Sequence, residues 1–147
     1  MLISTKGRYG LRAMVDLAMY SNSEQVSLSS IAERQKISAH YLEQVFALLK
    51  KGGLVKSVKG SQGGYILAKK PVDITVGAVL RVLEGNLNIV DDTDSKNSQD
   101  SIEYCLTLNV WDKLNESINS IVDSITLEDL INKYKTLNIN LSLMAYI

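Results

Sequence analysis

Residues 40–51 bring together His40, Glu43, Gln44, Ala47 and Lys51, which fall on one side of a 3.6-residue repeat. Leu42, Val45, Phe46 and Leu49 fall on the other side, as expected of a helix with one face in a core. The polar side is short, hydrogen-bonding and small at its centre. Its chemistry suits base edges in a major groove: Gln pairs with adenine, Glu accepts from cytosine, and His can meet guanine. The N-terminus of such a helix also favours an approaching phosphate. Taken alone, the same face is as readily an ordinary solvated one. Catalysis is not expected. Cys105 and His40 are the only cysteine and the only histidine, so neither has a second residue of its kind for nucleophilic or metal chemistry. The acidic residues gather in a stretch read as a loop.

A face of this kind reads DNA only if other elements hold it out. Leu11, Met14, Val15 and Ala18 recur at helical spacing and predict a first amphipathic helix. After a polar break at 22–26, Ser27 can cap a short helix with Leu28, Ile31 and Ala32 on its apolar side. Lys36 and Ile37 form the turn, with Ile37 plugging the angle between helices, and Ser38 can cap the polar-faced helix. Gly52 and Gly53 stop it. Leu54 to Val58 then alternates, with Leu54, Lys56 and Val58 on one side and Val55 and Ser57 on the other. The glycine-rich turn 60–64 and the strand Tyr65–Leu67 complete a hairpin. Helix, turn, helix and hairpin over residues 27–68 spell a winged helix-turn-helix. Lys59, with Ser61 and Gln62 at the tip, is placed for backbone or minor-groove contact. The tip does not have Walker or dinucleotide spacing, and no nucleotide-fold strand precedes it.

Pro71 closes this first module, giving a DNA-binding domain over residues 1–71 and a dimerisation and regulatory region over 72–147. Thr75 begins a helix that Gly85 ends. Residues 86–103 are polar and acidic and read as a loop. A long helix follows from about Ile102 to Ser124. Trp111, Leu114, Ile118, Ile121 and Ile125 make a narrow seam along it, suited either to a twin helix in a dimer or to the chain's own core. Thr126 to Asp129 starts a last helix reaching about Lys135. Beyond it Leu137, Ile139, Leu141 and Leu143 alternate with polar residues, as in a terminal strand. The fold class is therefore mainly α with a small β-hairpin wing and a long dimerisation helix.

The net charge of zero conceals a division. Residues 1–70 carry eleven Lys and Arg against four Asp and Glu, and residues 71–147 carry five against twelve. Only the first half is suited to a polyanion. No apolar run approaches the ~20 residues of a membrane span. Lys6, Arg8, Arg12 and Asp16 interrupt the N-terminal apolar positions, unlike a signal peptide. With one cysteine there is no internal disulfide, and a cytoplasmic protein without membrane contact is expected.

Three stretches carry a family resemblance: Ser4 to Gly10, Tyr41 to Gln44, and Gly53 to Gly60 followed by Gly63, Gly64 and Tyr65. They resemble the Rrf-two-type winged-helix regulators, strongly to about Gly85 and more weakly to Tyr134. The resemblance implies a dimeric bacterial transcription regulator bound to double-stranded DNA. It assigns base reading to Glu43 and Gln44, groove contact to His40, phosphate proximity to Lys6 and Tyr9, and the basic wing position to Lys59. Cluster-binding members of the family place three cysteines in the loop and the early long helix. Here only Cys105 matches, Leu108 stands where a histidine can occur, and no iron–sulfur cofactor is expected, because a [2Fe–2S] cluster needs about four protein ligands. Cys105 is then either a redox-sensing thiol or a buried structural residue. The nearest subgroup is that of the cysteine-metabolism repressors, through residues 4–10 and 74–85. That likeness implies a complex with O-acetylserine thiol-lyase (cysteine synthase). The segment Met144 to Ile147 resembles the Ile-terminated tail by which serine acetyltransferase docks into that enzyme, so Tyr146 and Ile147 are candidates for partner docking, with O-acetylserine as competitor. Alternatives are a family member answering redox or nitrosative stress through Cys105, or a winged-helix protein-interaction module.

Overall fold

Ser27 and Ser38 act at the positions their sequence context suggests. In a computed structural model, which describes residues 2–21, 24–61, 63–90 and 99–146, the Ser27 hydroxyl accepts from the Ser30 N–H and the Ser38 hydroxyl from the Tyr41 N–H, each at 3.2 Å. Each satisfies an N–H that a helix start leaves unpaired. The helices so begun are α2 (Leu28–Gln35) and α3 (Ala39–Lys51), preceded by α1 (Thr5–Tyr20). Between α2 and α3 the chain turns through Lys36, which adopts the left-handed conformation at φ 56°, and Ile37 is buried in the angle.

The wing follows. β1 (Val55–Val58) pairs antiparallel with β2 (Gly64–Leu67), Val55 opposite Leu67 and Val58 opposite Gly64. Gly63 takes φ 62° at the tip, a conformation that favours glycine. Val26 adds a third rung by exchanging two backbone hydrogen bonds with Tyr65, both 2.9 Å. The Phe46 and Tyr65 rings meet edge to face at 4.9 Å and fix the hairpin against α3. The expected alternation of residues 54–58 does not hold. Leu54 and Val55 are both buried, because Leu54 still belongs to the exit from α3, its N–H donating to the Leu49 carbonyl.

The second region comprises α4 (Val76–Glu84), α5 (Ile102–Leu106), a π-helical turn (Thr107–Trp111), α6 (Asp112–Ser124) and α7 (Leu127–Ala145). The single long helix expected from Ile102 to Ser124 is thus continuous but carries a π turn in its first half. Packing does not break at residue 71. Met14, Leu17, Leu42, Phe46 and Leu49 share one buried cluster with Ile74, Val79, Leu83, Leu127 and Ile131. Within the stretch read as a polar loop, Leu87 is buried beside Val76 and Leu80.

The end of the chain corrects the sequence reading. Leu137, Ile139, Leu141 and Leu143 lie in α7, which runs on past Lys135 to Ala145. The capping box between Thr126 and Asp129 starts the helix, and no Gly or Pro interrupts it. Leu137 and Leu141, like Ile139 and Leu143, are also four apart, so the alternation fits a helix. The only sheet among the described residues is the hairpin. A strand there would leave its backbone groups without partners.

Candidate nucleic-acid interface

Burial of Leu42, Val45, Phe46 and Leu49 sets the rotation of α3 and turns His40, Glu43, Gln44 and Lys51 outward. Their mutual ties are weak. Gln44 Nε2 lies 3.4 Å from His40 Nε2, and Glu43 Oε2 lies 3.9 Å from His40 Nδ1, with the latter two side chains 68 % and 81 % exposed. Groups held so loosely can exchange their partners for base edges at little cost.

The start of α1 is brought to the start of α3. Thr5 and Tyr9 line one notch with Ile37, Ser38, His40, Tyr41 and Gln44. Tyr9 meets Tyr41 edge to face at 6.1 Å, and the guanidiniums of Arg12 and Arg8 lie 5.1 and 5.9 Å from the Tyr9 ring. Lys6 is exposed in the first turn of α1, and Lys59 and Ser61 are exposed at the wing tip. Gln62 lies outside the described residues. Among the described residues, Lys6, Lys51, Lys56 and Lys59 take part in no ion pair. Arg8 and Arg12, four residues apart and flanking Tyr9, join this surface although the sequence reading gave them no role. Their spacing with Tyr9 was the available signal.

Behind this surface a buried ion pair clamps α1 to α2. Asp16 is 2 % exposed, and its carboxylate accepts from Arg34 Nη2 at 2.7 Å, Arg34 Nε at 3.0 Å and Gln35 Nε2 at 2.9 Å. The hydrogen bonds that Arg34 donates to Asp16 raise the Arg34 pKa above its ordinary value against the opposing effect of burial. The Tyr20 ring covers the guanidinium at 4.0 Å.

The seam expected along the long helix divides. Ile118 and Ile125, with Val122, pack on Val76, Leu80 and Leu87 of the same chain. Leu114 and Ile121 are 42 % and 60 % exposed, Trp111 is half-buried, and Ile102, Leu106 and Leu108 continue the exposed apolar surface. Cys105 is exposed rather than packed as a small apolar residue, with Asn109 Nδ2 3.6 Å from its Sγ. Tyr146 is exposed just beyond α7, and Ile147 lies outside the described residues. No helix among the described residues is long and apolar enough to cross a membrane.

A polar recognition helix held out by a capped turn, flanked by a basic wing and a basic helix start, defines a winged helix-turn-helix regulator. The comparisons with known proteins agree. The profile of the Rrf2 family, described as an iron-dependent transcriptional regulator, matches residues 3–133, and the chain belongs to this family. The regulator IscR of Pectobacterium atrosepticum is 39 % identical over 139 residues, covering 95 % of this chain and 84 % of that protein. The solved structure of CymR, the global cysteine regulator of B. subtilis, superposes with TM-score 0.76 at 41 % identity, covering 90 % of this chain and 98 % of the other. That of T. potens IscR superposes with TM-score 0.72 at 48 % identity, covering 91 % and 88 %.

Proposed function

We propose that this Rrf2-family regulator is a homodimeric repressor of cysteine and sulfur-metabolism genes that works without an iron–sulfur cluster. The donor set carries the reading. A cluster takes about four protein ligands, and the chain offers one cysteine, Cys105. Its only histidine sits on the outer face of α3, on the candidate DNA surface. The residues present therefore do not fit an iron–sulfur cluster. The likeness to the cysteine regulator of B. subtilis then supplies the biological direction. In this reading two protomers meet through the exposed apolar residues of α5 and α6, Leu114 and Ile121 among them. Their two α3 helices enter successive major grooves of a partly palindromic operator. Tyr146 and Ile147 dock into O-acetylserine thiol-lyase, which sets the response to O-acetylserine.

Genome-wide mapping of bound DNA in cells grown with and without cysteine tests the regulon. Occupancy of sulfur-gene promoters that changes with cysteine supports the reading, and occupancy confined to unrelated promoters overturns it. Anaerobic purification followed by iron and sulfide analysis tests the cofactor. A stoichiometric cluster would remove the argument from the donor set. Deleting residues 145–147 should abolish binding to the thiol-lyase, and unchanged affinity sinks the docking step.

One observation favours a second reading. The Cys105 thiol is exposed on α5, where an oxidant or nitric oxide can reach it. A family member answering redox or nitrosative stress would lose operator affinity on such treatment, and Cys105→Ser would block the loss. An unaltered response in that variant excludes it.

A further inference from the structure

Helix α1 has no cap of its own. Ser4 stands at its N-cap position, but its side chain makes no capping bond. A residue from the far side of the sequence does this work. Glu84, the last residue of α4, points one carboxylate oxygen, Oε1, at the first turn of α1. It accepts from the Ser4 N–H at 3.0 Å, the Ser4 hydroxyl, and the Gly7 N–H at 3.0 Å. Gly7 is what lets it in, since a Cβ there would collide with the same oxygen. An anion at a helix N-terminus satisfies unpaired N–H groups and complements the helix dipole.

The helix that carries Glu84 is anchored in turn. One turn earlier on α4, Arg81 donates to both Asp123 oxygens, at 2.6 and 2.9 Å, and to Asn119 Oδ1 at 2.6 Å, all on α6. The carboxylate is thus carried by a helix that Arg81 pins to α6 one turn away. What it fixes is the segment bearing Thr5, Lys6 and Tyr9, two of which line the notch shared with His40 and Gln44.

We infer that Glu84 is a positioning residue for DNA binding: it fixes the first turn of α1 so that Lys6 and its neighbours meet the phosphate backbone beside the recognition helix. The inference rests on the reading of this surface as the DNA face. Its sign separates it from plain electrostatics. A carboxylate near DNA repels phosphate, so its removal through charge alone would tighten binding. As a positioning residue, its removal weakens binding instead.

The test is salt-dependent binding of wild type, Glu84→Ala, Glu84→Gln, Lys6→Ala and the double variant to a random-sequence duplex, with thermal melts as a folding control. Loss of a cap that orders one turn should lower the Glu84→Ala affinity about fivefold. It should also reduce the slope of log affinity against log salt by about 1, the share of one phosphate contact. Lys6→Ala should do the same, and the double variant should lose little more than either single one. Glu84→Gln, which keeps an acceptor oxygen, should retain most of the affinity. If Glu84→Ala melts too early to assay, Gly7→Ala, which displaces the carboxylate while leaving it present, should give the same reduced slope. Wild-type affinity or tighter binding in Glu84→Ala, with Lys6→Ala still weakened, overturns the inference and leaves the DNA face standing. Absence of salt-dependent binding by the wild type overturns the DNA reading and the inference with it.

Discussion

Replacing Asp16 by alanine should cost this protein a large share of its stability. The carboxylate is 2 % exposed and accepts from three nitrogens on α2. Truncation leaves Arg34 and Gln35 without that acceptor. Breaking a buried pair by removing one partner costs about 3–5 kcal/mol when the remaining charge stays buried. The Arg34 side chain is 31 % exposed, so water recovers part of the loss. The expected cost is therefore about 2–3 kcal/mol. For a chain of this size that lowers Tm by about 5–10 °C. Urea unfolding followed by circular dichroism, with Arg34→Ala and the double variant, reads the quantity directly. The double variant should be clearly less destabilised than the sum of the two single ones, at unchanged denaturant slope. A loss below about 1 kcal/mol for Asp16→Ala, or additive single effects, would refute the reasoning, because the pair would then be behaving as an exposed one.

Two further outcomes follow from the geometry. Leu114→Glu with Ile121→Glu places charges on the exposed side of α6 and should leave a folded monomer by analytical ultracentrifugation; an unchanged dimer places the contact elsewhere. At low pH the helix ends should loosen. The Arg81 hydrogen bond holds the Asp123 carboxyl below its ordinary value, and the Thr126 backbone N–H followed by its hydroxyl does the same for Asp129. A depressed carboxylate contributes stability that is complete above the unfolded value of about 3.9 and is lost as pH falls through the lower folded value. Helix content by far-UV circular dichroism should thus decline below about pH 4, with a shallower decline in Asp123→Asn and Asp129→Asn; identical acid profiles for all three proteins contradict this.

The parts of the fold that sequence reveals are those whose causes are local. Ser27 and Ser38 announce helix starts because a cap acts over three residues. The outward face of α3 is legible because Leu42, Val45, Phe46 and Leu49 set its rotation on their own helix. The contacts that hold the site in place are not local. Asp16 looks like a surface charge until Arg34, eighteen residues on, is folded against it. Glu84 reads as the solvated end of a helix, and its partners lie 80 and 77 residues away. The end of α7 misleads for another reason. Leucines and isoleucines alternating with polar residues satisfy the period of a strand and, at every second step, that of a helix. What separates the two is whether a neighbouring strand exists, which the alternation does not contain.

In the proposed function the outer face of α3 reads base sequence. Selecting binding sites from random duplexes with wild type and with Gln44→Ala tests it most directly. The wild type should enrich a partly palindromic site, and Gln44→Ala should enrich the same site with the base preference relaxed at one position in each half. Identical base frequencies for the two proteins, at every position of the enriched site, would contradict it.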